Sequence, residues 1–377
     1  MMRVLHVVAS NQRRGAEVFT ADLVGALAQA GIDQRVAVLR TVGGPAVDYG
    51  VPVWELGADP AGLSRVRVVL RALRRLRREM ATWRPDLIQA HGGEPLKYAI
   101  PTAAAVPVVY RRIGSAVDQV ARGPRRVLYG ALMRRAARVV AVAEAVRLET
   151  MEVFQLPVGH VVTIPNAVDA RRLAITRDRT TVRRDLGIAA DAEVVLSLGA
   201  LTWEKDPLAH LRIAAAVLVE RPAAVHLLVG DGPMRAEVER QVVALGNGPR
   251  VRLAGARDDV PALLAASDVV LFASCSEGMP ATVIEAGALG LPVAGYAVAG
   301  VAEVVEDGVT GLLAPPGDAA QLQDRLGELL ADPSRRRGMG AAARGRCLGQ
   351  FDITAIAPRY LELYRSLVAS SPAERPA

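Results

Sequence analysis

The stretch 269–288 (VVLFASCSEGMPATVIEAGA) constrains the fold more than any other part of the sequence. Its first five residues form an apolar run that predicts a buried strand. Gly278 and Pro280 then break the strand, and a helical pattern follows. This order places Glu277 in the strand-to-helix loop and Glu285 about one turn into the helix. In an open α/β sheet such a loop lies at the carboxyl end of a strand, where ligands bind. Its free backbone N–H groups suit an anion, and its carboxylates suit the hydroxyls of a sugar.

The same strand–loop–helix arrangement occurs near the start of the chain and again in its second half. Apolar runs at Met2–Ala9 and Gln34–Leu39 flank a helical pattern at Ala16–Ala30, and another strand is predicted at Val194–Gly199. A length of 377 residues fits two domains of ordinary size. We therefore predict an α/β fold with two doubly wound parallel-sheet domains.

Composition argues against several protein classes. The two cysteines, Cys275 and Cys347, provide no disulfide framework, which fits a reducing cytoplasm. The longest apolar stretches are too short to span a membrane, and the first ten residues read as a strand rather than a signal peptide. Aromatic residues make up only 4% of the chain and no nucleic-acid motif occurs, so no nucleic-acid partner is expected.

The net charge of +7 is unevenly distributed along the chain. Residues 1–165 contain 23 Lys and Arg against 13 Asp and Glu, whereas the remainder is slightly acidic. A basic half is typical of proteins that bind an anionic substrate or an anionic membrane surface. Of the 46 cationic residues only Lys97 and Lys205 are lysines, which suggests a site that needs a compact positive charge.

A basic amphipathic helix is predicted over residues 63–80. Its apolar stripe contains Leu63, Val66, Leu70, Leu73 and Leu76, and its cationic face contains Arg67, Arg71, Arg74, Arg75 and Arg78. Two interpretations stay open. The cationic face can dock on anionic lipid headgroups at the inner face of the membrane, or the helix is an ordinary surface helix packed on the first domain.

The two glutamates, eight residues apart around a Gly-x-Pro break, resemble the E-x7-E motif of retaining glycosyltransferases of family four. Val161–Asp169 and Gly199–Asp206 are similar to further segments of that family. The resemblance implies the GT-B fold, in which two Rossmann-like domains face each other across a cleft. It also implies a nucleotide-sugar donor, whose sugar would contact Glu277 and whose ribose would contact Glu285.

The resemblance also assigns roles to further residues of this sequence. The expected catalytic residues are His91, Lys205 and Glu277. The expected donor-binding residues are Gly15, Ala16, Gly199, Lys205, Gly255, Arg257, Glu277, Gly278, Met279, Pro280, Ala281 and Glu285. His91 ends a predicted strand, whereas His6 within a strand is expected to be a core residue.

Three arginines are candidates for binding the acceptor. Arg14 lies in the first glycine loop, and Arg111 and Arg112 follow a strand predicted at Val106–Tyr110. Their positions at carboxyl ends of strands favour an anionic acceptor or a phosphate group.

Two positions depart from the family pattern. Arg14 stands where the family usually has the first glycine of its loop, and Ala200 replaces an arginine that helps to clamp the diphosphate. Losing such a charge-assisted hydrogen bond weakens donor binding by about 1.5–3 kcal/mol. No Asp-x-Asp motif and no His/Cys cluster with metal spacing occurs. We therefore expect Lys205 and helix N-termini to stabilise the leaving group, without a metal or other cofactor.

The domain boundary is predicted at the Ile-Pro-Asn-x-Val-Asp segment. The predicted acceptor domain is 1–168 with a C-terminal helix at 355–377, the donor domain is 169–354, and Arg171–Asp185 is expected to be a connector. The expected reaction is transfer from a UDP-sugar, with GDP-mannose as the next choice of donor, to a cell-envelope, lipid-linked or polysaccharide acceptor. A secondary-metabolite glycosyltransferase, a nucleotide-sugar epimerase, a glycan phosphorylase and a non-catalytic binding protein are the alternatives.

Overall fold

The structure is a computed structural model that describes residues 1–43, 46–58, 65–114, 123–246 and 248–370. Two compact units are present: one contains Met1–Ala167 and Ile353–Ala377, and the other contains Val168–Asp352. Each unit is built on one parallel sheet, and helices connect most of its successive strands. The expected class, two α/β parallel-sheet domains, is confirmed.

The first unit has a seven-stranded sheet in the order β3-β2-β1-β4-β5-β6-β7. Its strands are β1 Arg3–Ser10, β2 Asp33–Arg40, β3 Val53–Glu55, β4 Leu87–His91, β5 Val108–Arg112, β6 Arg138–Ala141 and β7 Val161–Thr163. Its helices are α1 Gly15–Gln29, α2 Arg65–Trp83, α3 Gly93–Thr102, α4 Pro124–Arg135, α5 Glu144–Phe154 and the C-terminal helix Ile353–Ser370. Near-continuous apolar runs form the central strands because both faces of this sheet are covered.

The C-terminal helix is part of the core of the first unit. Tyr360 and Tyr364 are fully buried and pack with Phe19 and Leu23 of α1 against the sheet. The rings of Phe19 and Tyr360 have centroids 6.0 Å apart, a spacing typical of packed aromatic pairs. The last helix therefore covers the same sheet face as the first helix.

The second unit has a six-stranded sheet in the order β10-β9-β8-β11-β12-β13. Its strands are β8 Glu193–Leu198, β9 Ala224–Val229, β10 Val251–Gly255, β11 Val269–Phe272, β12 Val293–Tyr296 and β13 Gly311–Ala314. Its α-helices are α6 Arg179–Asp185, α7 Pro207–Glu220, α8 Arg235–Ala244, α9 Val260–Ala265, α10 Ala281–Ala288, α11 Val301–Val304, α12 Ala319–Ala331 and α13 Pro333–Gln350. Residues Pro292–Ala297 were expected to form the final strand. The strand is present as β12, but it is not the last, because β13 pairs parallel beside it.

The segment expected to be a connector is folded into the second unit. Arg183 of α6 is 2% exposed and donates to the backbone oxygens of Ala190, Ala192 and Ala266. It also pairs with Asp268 at 2.8 Å. A guanidinium with this many acceptors is well accommodated in the interior. This segment is therefore anchored in the second unit by Arg183 and is not a separate connector.

The basic helix α2 buries a different stripe from the predicted one. Its buried residues are Val68, Ala72, Leu76, Met80 and Trp83. Of the predicted stripe only Leu76 is buried, whereas Val66 is 68% exposed and Leu70 is 45% exposed. Leu63 lies outside the described residues. Within the described ranges, no helix is both long and apolar enough to cross a membrane.

Candidate functional site

The loop after β11 in the second unit holds Glu277 in a partly closed environment. The side chain of Glu277 is 9% exposed, and its Oε1 accepts from the Nζ of Lys205, whose side chain is 32% exposed. The neighbouring Gly278 oxygen accepts from the Gly300 N–H at 2.9 Å. A Cβ on Gly300 would lie 2.0 Å from that oxygen, so only glycine permits this approach. The loop is therefore fixed both by an ion pair and by backbone packing.

A second loop, after β8, brings Lys205 to this position. Lys205 ends the 3-10 turn Trp203–Lys205, and the oxygen of Glu204 accepts from the Cys275 N–H at 3.0 Å. His210 of α7 accepts the Ala273 N–H on its Nε2 at 3.0 Å. Burial lowers the pKa of His210 to about 4, which keeps the imidazole neutral and able to accept. Two hydrogen bonds, Cys275 to Glu204 and Ala273 to His210, thus connect the segment that carries Glu277 to the segment that carries Lys205.

Three glycines line the carboxyl ends of the neighbouring strands. Gly199 donates its N–H to Val229 at 3.0 Å, and Gly230 donates to the oxygen of Gly255 at 2.8 Å. Gly230 has φ +144, and a Cβ there would lie 1.8 Å from the Gly199 oxygen. Ala200 follows Gly199 and is exposed, so this position supplies no positive charge. The segment Gly199–Asp206 therefore has a backbone held by neighbouring strands and Lys205 as its cationic side chain.

Glu285 lies on α10 and is 7% exposed. Its Oε1 accepts from the Nη2 of Arg172 at 3.2 Å. Arg172 belongs to a 3-10 turn, Ala170–Leu173, at the start of the second unit. Sequence reasoning missed this arginine because it lies 113 positions away from its partner and within the segment interpreted as a connector.

The remaining residues predicted to bind the sugar donor in the second unit differ in their contacts and positions. The guanidinium of Arg257 donates to both carboxylate oxygens of Asp259, at 2.8 and 2.7 Å, so this side chain is already engaged. Gly255 has φ +67 and ends β10. Met279 is 4% exposed, and Pro280 caps α10, which begins at Ala281.

In the first unit, Gly15 and Ala16 form the N-terminus of α1. Arg14 is the N-cap residue and makes no side-chain cap hydrogen bond. A Cβ on Gly15 would meet no atom within 4 Å, so packing does not require glycine there. Glu17 is buried, and its Oε1 accepts the Ser10 N–H at 3.3 Å; burial raises the pKa of this carboxyl.

His91 and the two arginines lie deeper in the first unit than the sequence suggested. The predicted position of Arg111 and Arg112 after the strand was wrong: they are its last two residues and are 1% and 2% exposed. Arg111 donates to Asn166 Oδ1 at 2.7 Å, and its guanidinium lies 3.6 Å from the ring centroid of Phe19. The strand therefore continues through both arginines, and their guanidinium groups are enclosed by the first unit.

His91 is the last residue of β4 and is 2% exposed. Its Nε2 lies 3.1 Å from the Nδ1 of His6, which is fully buried as expected. Burial lowers the pKa of His91 well below its ordinary value, and the nearby His6 and Arg111 act in the same direction. His91 is therefore neutral at pH 7.

Within each unit, several of the predicted residues lie together. In the second unit Lys205 contacts Glu277 and runs past Gly199, where a Cβ would lie 3.9 Å from the lysine Cδ. In the first unit His91 is paired in register with Arg111 on adjacent strands. Across the described ranges, no group of three or more His, Cys, Asp or Glu side chains could hold a metal ion.

Two family models match the chain and together cover most of it. Residues 13–172 match the model described as Glycosyltransferase Family 4, and residues 178–346 match the model described as Glycosyl transferases group 1. A 2-deoxystreptamine N-acetyl-D-glucosaminyltransferase of Streptomyces fradiae is 30% identical, over 94% of this chain and 91% of the relative. A D-inositol 3-phosphate glycosyltransferase of Kineococcus radiotolerans is 32% identical, over 74% of this chain and 68% of the relative.

A solved structure of similar fold is Anabaena HepE in complex with UDP and glucose. The two structures superpose with a TM-score of 0.82 at 23% identity, covering 97% of this chain and 100% of that one. At this level of identity the likeness concerns the fold.

Proposed function

This chain belongs to glycosyltransferase family 4, the group 1 glycosyl transferases, and from that premise we propose that it moves a hexose from a UDP-sugar to an acceptor hydroxyl, with retention of configuration and without a metal ion. Membership of the family and the GT-B fold make it a hexosyltransferase that uses a nucleotide sugar. The choice of UDP, the stereochemistry, the metal independence and the acceptor are parts of the proposal.

The observation that carries the proposal is the ion pair of Lys205 and Glu277 on two glycine-backed loops. A nucleotide sugar reacts by losing a diphosphate, and fixed positive groups lower the barrier by stabilising the charge that grows on it. Lys205 supplies an ammonium, and the first turn of α10 supplies backbone N–H groups. Glu277 accepts a sugar hydroxyl, and Glu285 accepts the ribose hydroxyls while Arg172 keeps its carboxylate in place.

Two features support a reaction without a metal ion. The sequence contains no Asp-x-Asp motif, which many metal-dependent transferases use. The ammonium of Lys205 already lies beside one of the proposed sugar-binding carboxylates. We expect turnover to persist in excess EDTA and the anomeric proton coupling of the product to match that of the donor. Loss of turnover with EDTA that added Mg²⁺ restores would refute metal independence, and an inverted anomer would refute retention.

The donor is tested by thermal shift with UDP, GDP and ADP and with their sugars. A ligand at one hundred times its Kd stabilises the folded chain by about 2.7 kcal/mol, which is readily measured. We expect UDP and UDP-sugars to give the largest shifts. Glu285→Ala should raise the donor KM, and Lys205→Ala should lower kcat. Unchanged kinetics in both variants would remove the site assignment.

The first unit favours an anionic acceptor, such as a phosphate-bearing lipid-linked or cell-envelope glycan. Arg111 and Arg112 are almost fully buried, and neither forms an ion pair with a described residue. A buried guanidinium without a counter-ion is unfavourable, and an anionic group of the substrate would remove that penalty. The named acceptor of one relative, D-inositol 3-phosphate, carries such a group.

A small secondary metabolite is the second candidate acceptor. It is favoured by the 30% identity, over almost the whole chain, to an enzyme named for 2-deoxystreptamine, which is an amine. Transfer assays with D-inositol 3-phosphate and with 2-deoxystreptamine separate the two candidates. Turnover with the amine alone would contradict the anionic acceptor.

We also propose that α2 docks on anionic membranes. Val66 and Leu70 are exposed beside the exposed Arg71 and Arg74, an arrangement that suits insertion of aliphatic side chains among acidic headgroups. We expect flotation with vesicles that contain phosphatidylglycerol and not with neutral phosphatidylcholine vesicles. Leu70→Glu should abolish flotation, while the same change at the exposed Val243 of α8 should not. Equal flotation of both variants would refute this surface.

A further inference from the structure

A line of buried polar side chains crosses one face of the first sheet and ends at His91. Gln34, His6 and His91 are 3%, 0% and 2% exposed, and they belong to β2, β1 and β4. Their neighbours along these strands are mainly Val, Leu and Ala. Polar groups in an apolar interior need hydrogen-bond partners, so the partners of each atom determine where its protons lie.

The proton positions are fixed at the far end by a backbone carbonyl. One amide atom of Gln34 lies 2.9 Å from the oxygen of Val24, and since that oxygen can only accept, the atom must be the Nε2 donor. The other amide atom, Oε1, then faces His6 Nε2 at 3.0 Å. An amide oxygen only accepts, so His6 Nε2 carries a proton.

The same reasoning continues to His91. A neutral His6 that is protonated at Nε2 has a lone pair on Nδ1, and Nδ1 lies 3.1 Å from His91 Nε2. His91 Nε2 must therefore donate, which leaves the lone pair of His91 on Nδ1. That Nδ1 has no hydrogen-bond partner among the described residues, although it is buried. The reverse tautomers would place two acceptors against each other at Gln34.

The unpaired atom lies at the carboxyl end of β4, where open α/β sheets bind ligands. Since a neutral imidazole nitrogen with a lone pair accepts from hydroxyl donors, a substrate hydroxyl is the group that it suits. A residue with only a packing role would leave no unsatisfied atom here, because an apolar side chain fills the same volume without that penalty.

We propose that Gln34 and His6 are positioning residues that hold His91 in its Nε2–H tautomer, so that Nδ1 accepts a hydrogen bond from a substrate hydroxyl. The role given to the substrate rests on the proposed function, whereas the tautomer does not depend on it. His91 would contact the substrate, and Gln34 and His6 act through His91.

The tautomer is measured directly on the uniformly ¹⁵N-labelled full chain. Long-range ¹H–¹⁵N spectra of the imidazole rings distinguish a protonated nitrogen from one with a lone pair. The chain has five histidines, so single replacements assign every signal. At pH 7 we expect His91 to be protonated only at Nε2. A proton on Nδ1, or a doubly protonated ring, would overturn the proposal.

Variants at His6 test whether it sets the tautomer. His6→Leu removes the acceptor, so His91 should populate both tautomers, and kcat/KM should fall about tenfold, the effect of losing one hydrogen bond of ordinary strength. His6→Asn places an amide oxygen near the former Nδ1 and should restore both the tautomer and most of the activity. His226→Leu is the matched control, because it removes another fully buried histidine, on β9, and should leave the His91 signals unchanged.

Two results in these variants would count against a positioning role for His6. If His91 keeps a single Nε2–H tautomer in His6→Leu, then His6 does not set it. If His6→Asn keeps the tautomer without restoring activity, then the effect of His6 is general packing. If His6→Leu does not fold, the wild-type spectrum and His6→Asn still decide the question.

Addition of ligands separates this inference from the proposed function. UDP-glucose, UDP, D-inositol 3-phosphate and 2-deoxystreptamine are added in turn, and the substrate whose hydroxyl reaches Nδ1 should shift that nitrogen signal. If no ligand shifts it while the protein turns over UDP-glucose, the assigned role of Nδ1 is wrong. If no nucleotide sugar binds but the Nε2–H tautomer is found, the proposed function fails, whereas the positioning of His91 by Gln34 and His6 is upheld.

Discussion

Removal of the Glu277 charge should tighten the binding of UDP and slow sugar transfer. In the proposed site, the ammonium of Lys205 pairs with Glu277 and would also contact the diphosphate when the donor is bound. The side chain of Glu277 is 9% exposed and that of Lys205 is 32% exposed. The strength of this ion pair should therefore lie between that of an exposed pair and that of a buried charged hydrogen bond. After allowance for solvent screening, we take its strength as about 1–2 kcal/mol. Glu277→Gln should release the ammonium and lower the Kd of UDP by about 5- to 30-fold.

The same substitution acts in the opposite direction on the sugar. A carboxylate accepts a sugar hydroxyl more strongly than an amide does, so kcat/KM for a UDP-sugar should fall at least about tenfold in Glu277→Gln. Calorimetry with UDP and initial-rate measurements with the UDP-sugar give the two numbers separately. Glu220→Gln is the control, since Glu220 is an exposed carboxylate at the C-terminal end of α7 and carries the same charge.

A double-mutant cycle with Lys205→Met identifies the source of the gain. In the Lys205→Met background, Glu277→Gln should give no tightening of UDP, because the ammonium that it would release is absent. If Glu277→Gln leaves the Kd of UDP unchanged or raises it in the Lys205 protein, then the ammonium is not shared and the argument is refuted.

Three further predictions follow from the glycines, the buried histidines and the missing arginine. Gly230→Ala forces a Cβ to 1.8 Å from the Gly199 oxygen at a φ of +144, so the free energy of unfolding in urea titrations should fall by at least about 2 kcal/mol. The control is Gly15→Ala, whose Cβ meets nothing within 4 Å and should change that free energy by less than about 1 kcal/mol. Burial lowers the pKa of His226 to about 3, below the unfolded value of 6.5, so its stabilising effect is present above pH 6.5 and is lost as the pH falls towards 3. His226→Gln should therefore reduce the pH slope of stability between pH 6 and 4 by about 1.4 kcal/mol per pH unit, and an unchanged slope would contradict the shifted pKa. Ala200→Arg, at an exposed position, should lower the Kd of UDP by about tenfold, and an unchanged Kd would show that the position does not face the diphosphate.

The sequence predicted the parallel sheets well because their signals are local. An apolar run bounded by glycine or proline defines a buried strand, and the loop 273–280 with the helix that begins at Ala281 occurs as expected. The end of β5 was misplaced because Arg111 and Arg112 are polar in a strand whose other residues are apolar. Arg111 contacts Phe19 and Asn166, and Arg112 lies over the ring of Phe154. These partners are distant in sequence, so no local pattern reports them.

The same limit explains the partners that were missed at the candidate site. Arg172 and His210 contact residues 113 and 63 positions away, and neither lies in a segment that the sequence marked as functional. Similarly, only Leu76 of the stripe predicted for α2 is buried, because the folded unit buries Val68 and Ala72 on a different side of the helix. Helical spacing shows that a helix is amphipathic, but the rotation about its axis is set by tertiary packing.

The unsatisfied atoms in the first unit have a consequence for binding energy. His91 Nδ1, Gln89 Nε2 and two nitrogens of Arg111 are buried and make no hydrogen bond within the described ranges. Gln89, His91 and Arg111 share one sheet face. Residues 89 and 91 are two positions apart on β4 and so point to the same side, and His91 is in register with Arg111 on β5. Each unsatisfied atom lowers the stability of the free protein by about 1–3 kcal/mol. A ligand that satisfies even two of them gains about 2–6 kcal/mol that a well-paired site could not provide, and a hydroxyl-bearing anion has the acceptors for Arg111 and the donor for His91 in one molecule.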